Sequence, residues 1–122
     1  MGYRSFGEFL HAKRAEKGAS YRDMAAVIGV TAPYISDMEK GRRNAPVMDK
    51  LIKLADYFEL TDDERIEMFD LAGKTKNDLP PDLPNYIKGN NDVVSALRTA
   101  RDLGANDEDW QRFVDELKQR KG

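Results

Sequence analysis

The sequence predicts an all-helical protein, and three observations lead there. Apolar residues recur at three- and four-residue spacing almost from end to end. No stretch alternates with period two for long enough to make a strand. Serine, threonine or asparagine stands at the head of most apolar-periodic segments, and glycine stands at the foot. At 122 residues and 40% hydrophobic content the chain can bury one modest core, as one domain or a small domain with an appendage, so a large multi-domain enzyme is not expected.

The elements follow in order. Ser5-Phe6-Gly7-Glu8 reads as a capping box opening a first helix, with Phe6, Phe9 and Leu10 inward and Gly18 as its stop. Ser20 with Asp23 opens a short second helix bearing Met24, Ala25 and Ile28, closed by Gly29. Thr31 caps a third, with Pro33 tolerated in its first turn, Ile35 and Met38 inward, and Gly41 just past its end. Two short helices thus share one tight turn. Ala25 is small where they cross, and Gly29 can take the positive φ that the turn needs. Anchoring by Ile35 and Met38 leaves Ala32, Pro33, Ser36 and Asp37 on the opposite face.

A polar loop through Arg42, Arg43, Asn44 and Pro46 leads to a fourth helix marked by Met48, Leu51, Leu54, Ala55 and Phe58. Thr61-Asp62-Asp63-Glu64 is a further capping box, starting a fifth with Ile66, Phe69 and Ala72 on one stripe and Gly73 at its end. Residues 74–90 hold Pro80, Pro81 and Pro84 and few apolar residues, which reads as a linker or irregular strap between a head, 1–73, and a tail, 91–122. In the tail Asn91 is expected to cap a helix with Val93, Val94, Leu97 and Ala100 that stops near Gly104, and Asn106 to cap a last one. Asp107, Glu108 and Asp109 suit the positive N-terminal end of that helix, and Lys118, Arg120 and Lys121 its C-terminal end. Trp110, Phe113, Val114 and Leu117 form one continuous apolar stripe.

Charge and composition narrow the function classes. The net charge of −2 conceals a gradient: residues 1–55 carry ten basic against six acidic side chains, residues 56–76 three against seven, and residues 77–122 seven against nine. Such asymmetry suits a nucleic-acid-facing head and an acidic body facing elsewhere. With no cysteine and His11 as the single histidine, disulfides, thiolate metal sites and histidine clusters are all excluded, which favours a reducing, cytoplasmic setting. Residues 1–10 lack an apolar signal core and no run approaches the 18 or so apolar residues of a membrane span, so a chain neither exported nor membrane-bound is expected. His11 has no serine, cysteine or acidic neighbour at triad-like spacing, no GxxxxGK[ST] motif is present, and Asp62-Asp63 is explained by helix-start electrostatics. Neither an enzyme nor a cofactor is expected.

Ala19 to Pro46, ASYRDMAAVIGVTAPYISDMEKGRRNAP, resembles the Cro/CI-type helix-turn-helix, also called the XRE family. The matching features are Ser20, Met24-Ala25, Ile28-Gly29-Val30, Thr31, Ile35, Met38, Glu39, Gly41, Arg42 and Pro46, and the likeness extends over about Ser5 to Leu60. It implies a lambda-repressor-like five-helix DNA-binding domain carrying a two-helix C-terminal extension. The implied function is a sequence-specific transcriptional regulator, expected to repress, that reads the major groove of double-stranded DNA with helix 31–40. Ala32, Pro33, Ser36 and Asp37 are then the base-reading residues, and Ser20, Tyr21, Arg22, Lys40, Arg42 and Arg43 the phosphate contacts, with Tyr34 divided between DNA contact and exposed packing. The resemblance also implies an ion pair between Arg14 and Glu39, at least partly buried, that braces the recognition helix.

The reading face departs from glutamine- or arginine-rich relatives. Ala32 and Pro33 offer only apolar contact, for instance to a thymine methyl, and Ser36 is permissive. Asp37 is the one sharp reader: it can accept from cytosine N4–H₂, or pair instead with Lys40. Modest direct readout helped by DNA shape is therefore expected. The tail stripe either covers the head's own core or forms a dimer interface, and the resemblance favours a homodimer on paired half-sites. The rival reading is an interaction protein, antitoxin-like, whose tail holds a protein partner and whose DNA binding is only autoregulatory.

Overall fold

In a computed structural model, which describes residues 2–122, helix boundaries fall where side chains offer a cap and where glycine turns the chain away. Eight helices follow one another among the described residues: α1 Phe6–Lys17, α2 Tyr21–Ile28, α3 Ala32–Glu39, α4 Met48–Tyr57, α5 Asp62–Thr75, α6 Pro84–Lys88, α7 Asn91–Leu103 and α8 Asp107–Lys121. No strand occurs among those residues. The hydroxyls of Ser5, Ser20, Thr31 and Thr61 each accept a backbone N–H three residues on, satisfying donors that a helix start otherwise leaves bare. Ser20 with Asp23 and Thr61 with Glu64 form reciprocal capping boxes, whereas at Ser5 only the forward half forms. Gly29 closes α2 at φ 69°, in the left-handed region that the turn into α3 requires.

The chain divides into two compact units, one ending at Pro84 and one spanning Asn85–Gly122, with α6 straddling the division. In the first unit α3 packs on α1 and α2, α4 on α2, and α5 on α1. Phe6, Phe9 and Leu10 of α1 meet Met24 and Ile28 of α2, Ile35 and Met38 of α3, Leu51 and Leu54 of α4 and Met68 of α5 in one cluster, all fully buried. A side chain of that size contributes about 1.5–3 kcal/mol when buried, so α3, only two turns long, is held chiefly by Ile35 and Met38 rather than by its own propensity. Gly7 lets α1 cross the end of α3 closely: a Cβ there would lie 2.8 Å from the Met38 carbonyl oxygen and closer still to that of Glu39.

Four expectations are corrected. Ile66 is 56% exposed, and the buried face of α5 is Met68, Phe69, Leu71 and Ala72. At about 100° per residue, steps of three drift by roughly 60° each, so a stripe through Ile66, Phe69 and Ala72 rotates off the core. Gly73 does not end α5, which runs on to Thr75; instead the following segment doubles back over it, and a Cβ would lie 2.8 Å from the Leu79 carbonyl oxygen. The Thr75 hydroxyl fastens this corner, accepting from the Ala45 N–H at 3.1 Å and donating to the Ala72 carbonyl at 2.7 Å. The cap of α7 is Asn90 rather than Asn91, and the proline-rich strap contains the short helix α6.

In the second unit Asn106 and Asp109 form a capping box on α8, and acidic residues at its start face basic ones at its end. No residue of α6, α7 or α8 is buried. Trp110 and Phe113 meet edge to face at 6.2 Å, yet are 40% and 53% exposed.

One buried cation ties α1 to α5. Lys13 extends across Phe9 and donates to Glu64 Oε2 at 2.5 Å, with Glu16 a second carboxylate at 3.6 Å. The Lys13 hydrogen bond, then the Thr61 N–H, holds the Glu64 carboxyl at about 2 instead of its ordinary 4.5. A carboxyl so depressed adds stability above its unfolded value and loses it as pH falls through the folded one. Stability is therefore expected to drop between pH 4.5 and about 2, and Glu64→Gln, which keeps the Thr61 cap, to flatten that limb in equilibrium denaturation. Because Glu64 is one-third exposed and Glu16 remains for Lys13, the loss at neutral pH is expected to be about 1–2 kcal/mol, below that of an isolated buried pair. An unchanged acid limb would count against this coupling.

Candidate nucleic-acid interface

The outer face of α3 is set by what its inner face buries. With Ile35 and Met38 0% and 1% exposed, Ala32, Ser36 and Asp37 are left half-buried at the surface, and Pro33 is exposed. None of the four enters the core cluster. Thr31 caps the helix by accepting the Tyr34 N–H at 3.3 Å, which leaves the N–H groups before it directed out of the helix start.

Glu39, the last residue of α3, has a side chain only 4% exposed and is held from α1 and α2 together. Arg14 Nε donates to Oε2 at 2.5 Å and Nη2 to Oε1 at 3.2 Å, a two-pronged grip. His11 Nδ1 lies 3.0 Å from Oε1, and the Tyr21 hydroxyl donates to the same oxygen at 3.4 Å. The Arg14 guanidinium stacks 4.3 Å over the Tyr21 ring and donates to the Ala19 carbonyl at 3.1 Å. The hydrogen bond to Glu39 raises the Arg14 pKa above its already high value, against the opposing effect of burial. His11, unassigned in the sequence, is thus part of this brace; its carboxylate partner lies 28 residues away, beyond the reach of any local spacing rule.

Exposed cations stand at the start of α2 and in the loop beyond α3. At the start of α2, Arg22 is exposed, while Ser20 is engaged in its capping box, whose hydrogen bonds lower the Asp23 pKa. Tyr21 turns toward Glu39 and Arg14 and is half-buried. Beyond α3, Gly41 at φ 74° reverses the chain, the Arg42 N–H donates to the Asp37 carbonyl at 2.9 Å, and Lys40, Arg42 and Arg43 are exposed. Asp37 pairs across this turn with Arg42, at 3.9 Å, rather than with Lys40. Arg43 lies over the Tyr34 ring at 4.2 Å. A residue that the sequence did not single out, Lys50 of α4, donates to the Ile28 carbonyl at 2.8 Å and so occupies the negative end of α2. A lone lysine at the start of a later helix carries no local mark of that contact.

The family model for the helix-turn-helix domain matches residues 5–68. Among curated proteins the chain is similar to the HTH-type transcriptional regulator DdrOP3 of Deinococcus deserti, at 33% identity over 81 residues. That match covers 66% of this chain and 62% of the relative, so the chain spans less than two-thirds of the relative's length. A solved structure of the SinR protein/SinI protein complex aligns over 95% of this chain and 97% of its own at 21% identity, with a TM-score of 0.46.

Within the matched span the Glu39 brace makes a measurable claim. Arg14→Met is expected to destabilise the protein by about 3 kcal/mol in urea denaturation, the low end for breaking a buried pair, since His11 and Tyr21 still contact the carboxylate. A double-mutant cycle with Glu39→Gln is expected to give a coupling of about 1–3 kcal/mol. A coupling indistinguishable from zero would remove the brace.

Proposed function

Because the chain belongs to the helix-turn-helix domain family, we propose that it is a sequence-specific, DNA-binding transcriptional regulator that lays α3 in the major groove. One observation carries this reading: a short surface helix, braced at its end by a buried carboxylate, with exposed arginine or lysine at the start of the preceding helix and in the loop that follows. Ser20, Tyr21 and Arg22 approach one sugar-phosphate strand, and Lys40 and Arg42 the other. Ala32, Pro33 and Ser36 supply apolar or permissive contact to base edges, so direct readout is modest and DNA shape adds to it. Binding, not catalysis, is the activity, and repression is its expected sign, by occupying the site that transcription would use.

The partner for the tail is a second copy of the chain. Trp110, Phe113 and Val114 are 38–53% exposed along one face of α8, and recognition helices of this geometry engage paired half-sites as dimers. With three or four cations acting per protomer, affinity for a selected duplex is expected to fall by about 10³- to 10⁵-fold between 50 and 200 mM salt. Arg22→Ala is expected to weaken binding across sequences alike and to reduce the salt slope by about one per protomer. Phe113→Glu is expected to leave the protein folded but monomeric in sedimentation, with lower affinity for paired half-sites. Failure of the wild type to bind any duplex at low ionic strength overturns the regulatory reading; a stoichiometric foreign protein on the tail replaces the dimer with the antitoxin-like alternative.

A further inference from the structure

Resting on the DNA-binding reading above, we infer that Arg43 is the specificity-determining residue, forking onto the O6/N7 edge of a guanine in each half-site, and that Tyr34 is its positioning residue. The face of α3 is poor in donors: Ala32 and Pro33 have none, Ser36 has one rotatable hydroxyl, and Asp37 is already turned to Arg42 at 3.9 Å. Arg43 remedies this from outside the helix. The left-handed turn at Gly41 and the Arg42 N–H bond to the Asp37 carbonyl fold the loop back along α3 instead of away from it. The Arg43 guanidinium then comes to rest 4.2 Å from the Tyr34 ring.

Tyr34 is the third residue of α3, and the N-terminal residues of a recognition helix are the ones that meet base edges. An arginine held over that ring lies beside the start of α3, even though Tyr34 itself is half-buried against the core. Stacking uses one flat face of the guanidinium and leaves its N–H edge directed sideways, which is the geometry of bidentate guanine recognition. The ring also restricts a long, flexible side chain before DNA arrives, so less freedom is lost on binding.

The test uses the full chain in quantitative binding selection, followed by anisotropy titrations on duplexes with single base changes at several salt concentrations. The wild type is expected to require guanine at one position per half-site. Arg43→Ala and Arg43→Lys are expected to lose that preference, weakening the best site roughly 5- to 150-fold while leaving other positions and the salt slope unchanged. Tyr34→Ala is expected to relax the same position more weakly, and Tyr34→Phe, which keeps the ring, to restore it. If Arg43→Ala instead weakens every duplex alike and lowers the salt slope by about one per protomer, Arg43 is a phosphate contact and the assignment is wrong. If Tyr34→Ala leaves the guanine preference intact in a folded protein, the stacking positions nothing. Absence of any duplex binding by the wild type overturns the underlying reading and this assignment with it, an outcome distinct from either variant result.

Discussion

The carboxylate of Glu39 is the point on which the DNA-facing surface depends. It terminates a helix of only two turns, too short to be stable by itself, and sits in a pocket of donors contributed by α1 and α2. Arg14 supplies charge and direction, while His11 and Tyr21 occupy the remaining approaches to the same oxygens. A buried carboxylate in that position has little freedom to move, since leaving Arg14 exposes it to an unsolvated environment. The backbone carbonyl of the same residue is pressed against α1 at Gly7. Side chain and main chain of Glu39 therefore fix the end of α3 against α1 independently, one by charge and one by steric fit, and Ile35 and Met38 fix its inner face. The tilt of α3 follows from these constraints, and so does the position of every residue on its outer face.

What could be read from sequence, and what could not, divides by range. Helix starts at Ser5, Ser20, Thr31, Thr61 and Asn106 were legible because capping acts over three residues, and the inner faces of α1 to α3 because burial imposes a short period. The face of α5 is not legible at Ile66, since three-residue steps drift, and Gly73 looks like a terminator in sequence although its missing side chain answers a backbone returning from Leu79. Adjacent asparagines at 90 and 91 offer the same capping chemistry, so local pattern alone does not choose between them. In the site, the positions on α3 were visible, but their partners were not. That Asp37 meets Arg42, Tyr34 meets Arg43 and Glu39 meets His11 is decided by the turn at Gly41 and the crossing of α1, neither of which local spacing encodes.

The two units differ in how they use apolar surface. The head gathers its largest side chains into one enclosed cluster, with Val47, Ile52 and Ile66 left at its surface. The tail has caps, end charges and a Trp110–Phe113 contact, all of which stabilise helices locally, but buries no residue of α7 or α8. Local stabilisation of this kind supplies tenths to about one kcal/mol per feature, far less than enclosed apolar side chains provide. A helical segment with that balance gains most from a partner, which is the physical ground for placing assembly in the tail and recognition in the head.

Assembly and recognition then constrain one another through geometry. A single α3 with few donors touches few bases, and a weakly discriminating half-site becomes selective only when two are read at a fixed spacing. On the proposed reading, Arg43 beyond the helix extends the reading surface of each protomer without enlarging α3, whose length is set by the Thr31 cap at one end and by the left-handed turn at Gly41 past the other. A residue inserted within α3 would rotate and shift Glu39 out of the reach of Arg14 and break the brace, so the register of α3 has little room to change. On the proposed reading, the specificity that a short, donor-poor α3 lacks comes from Arg43 in the loop beyond it and from a second copy of the chain.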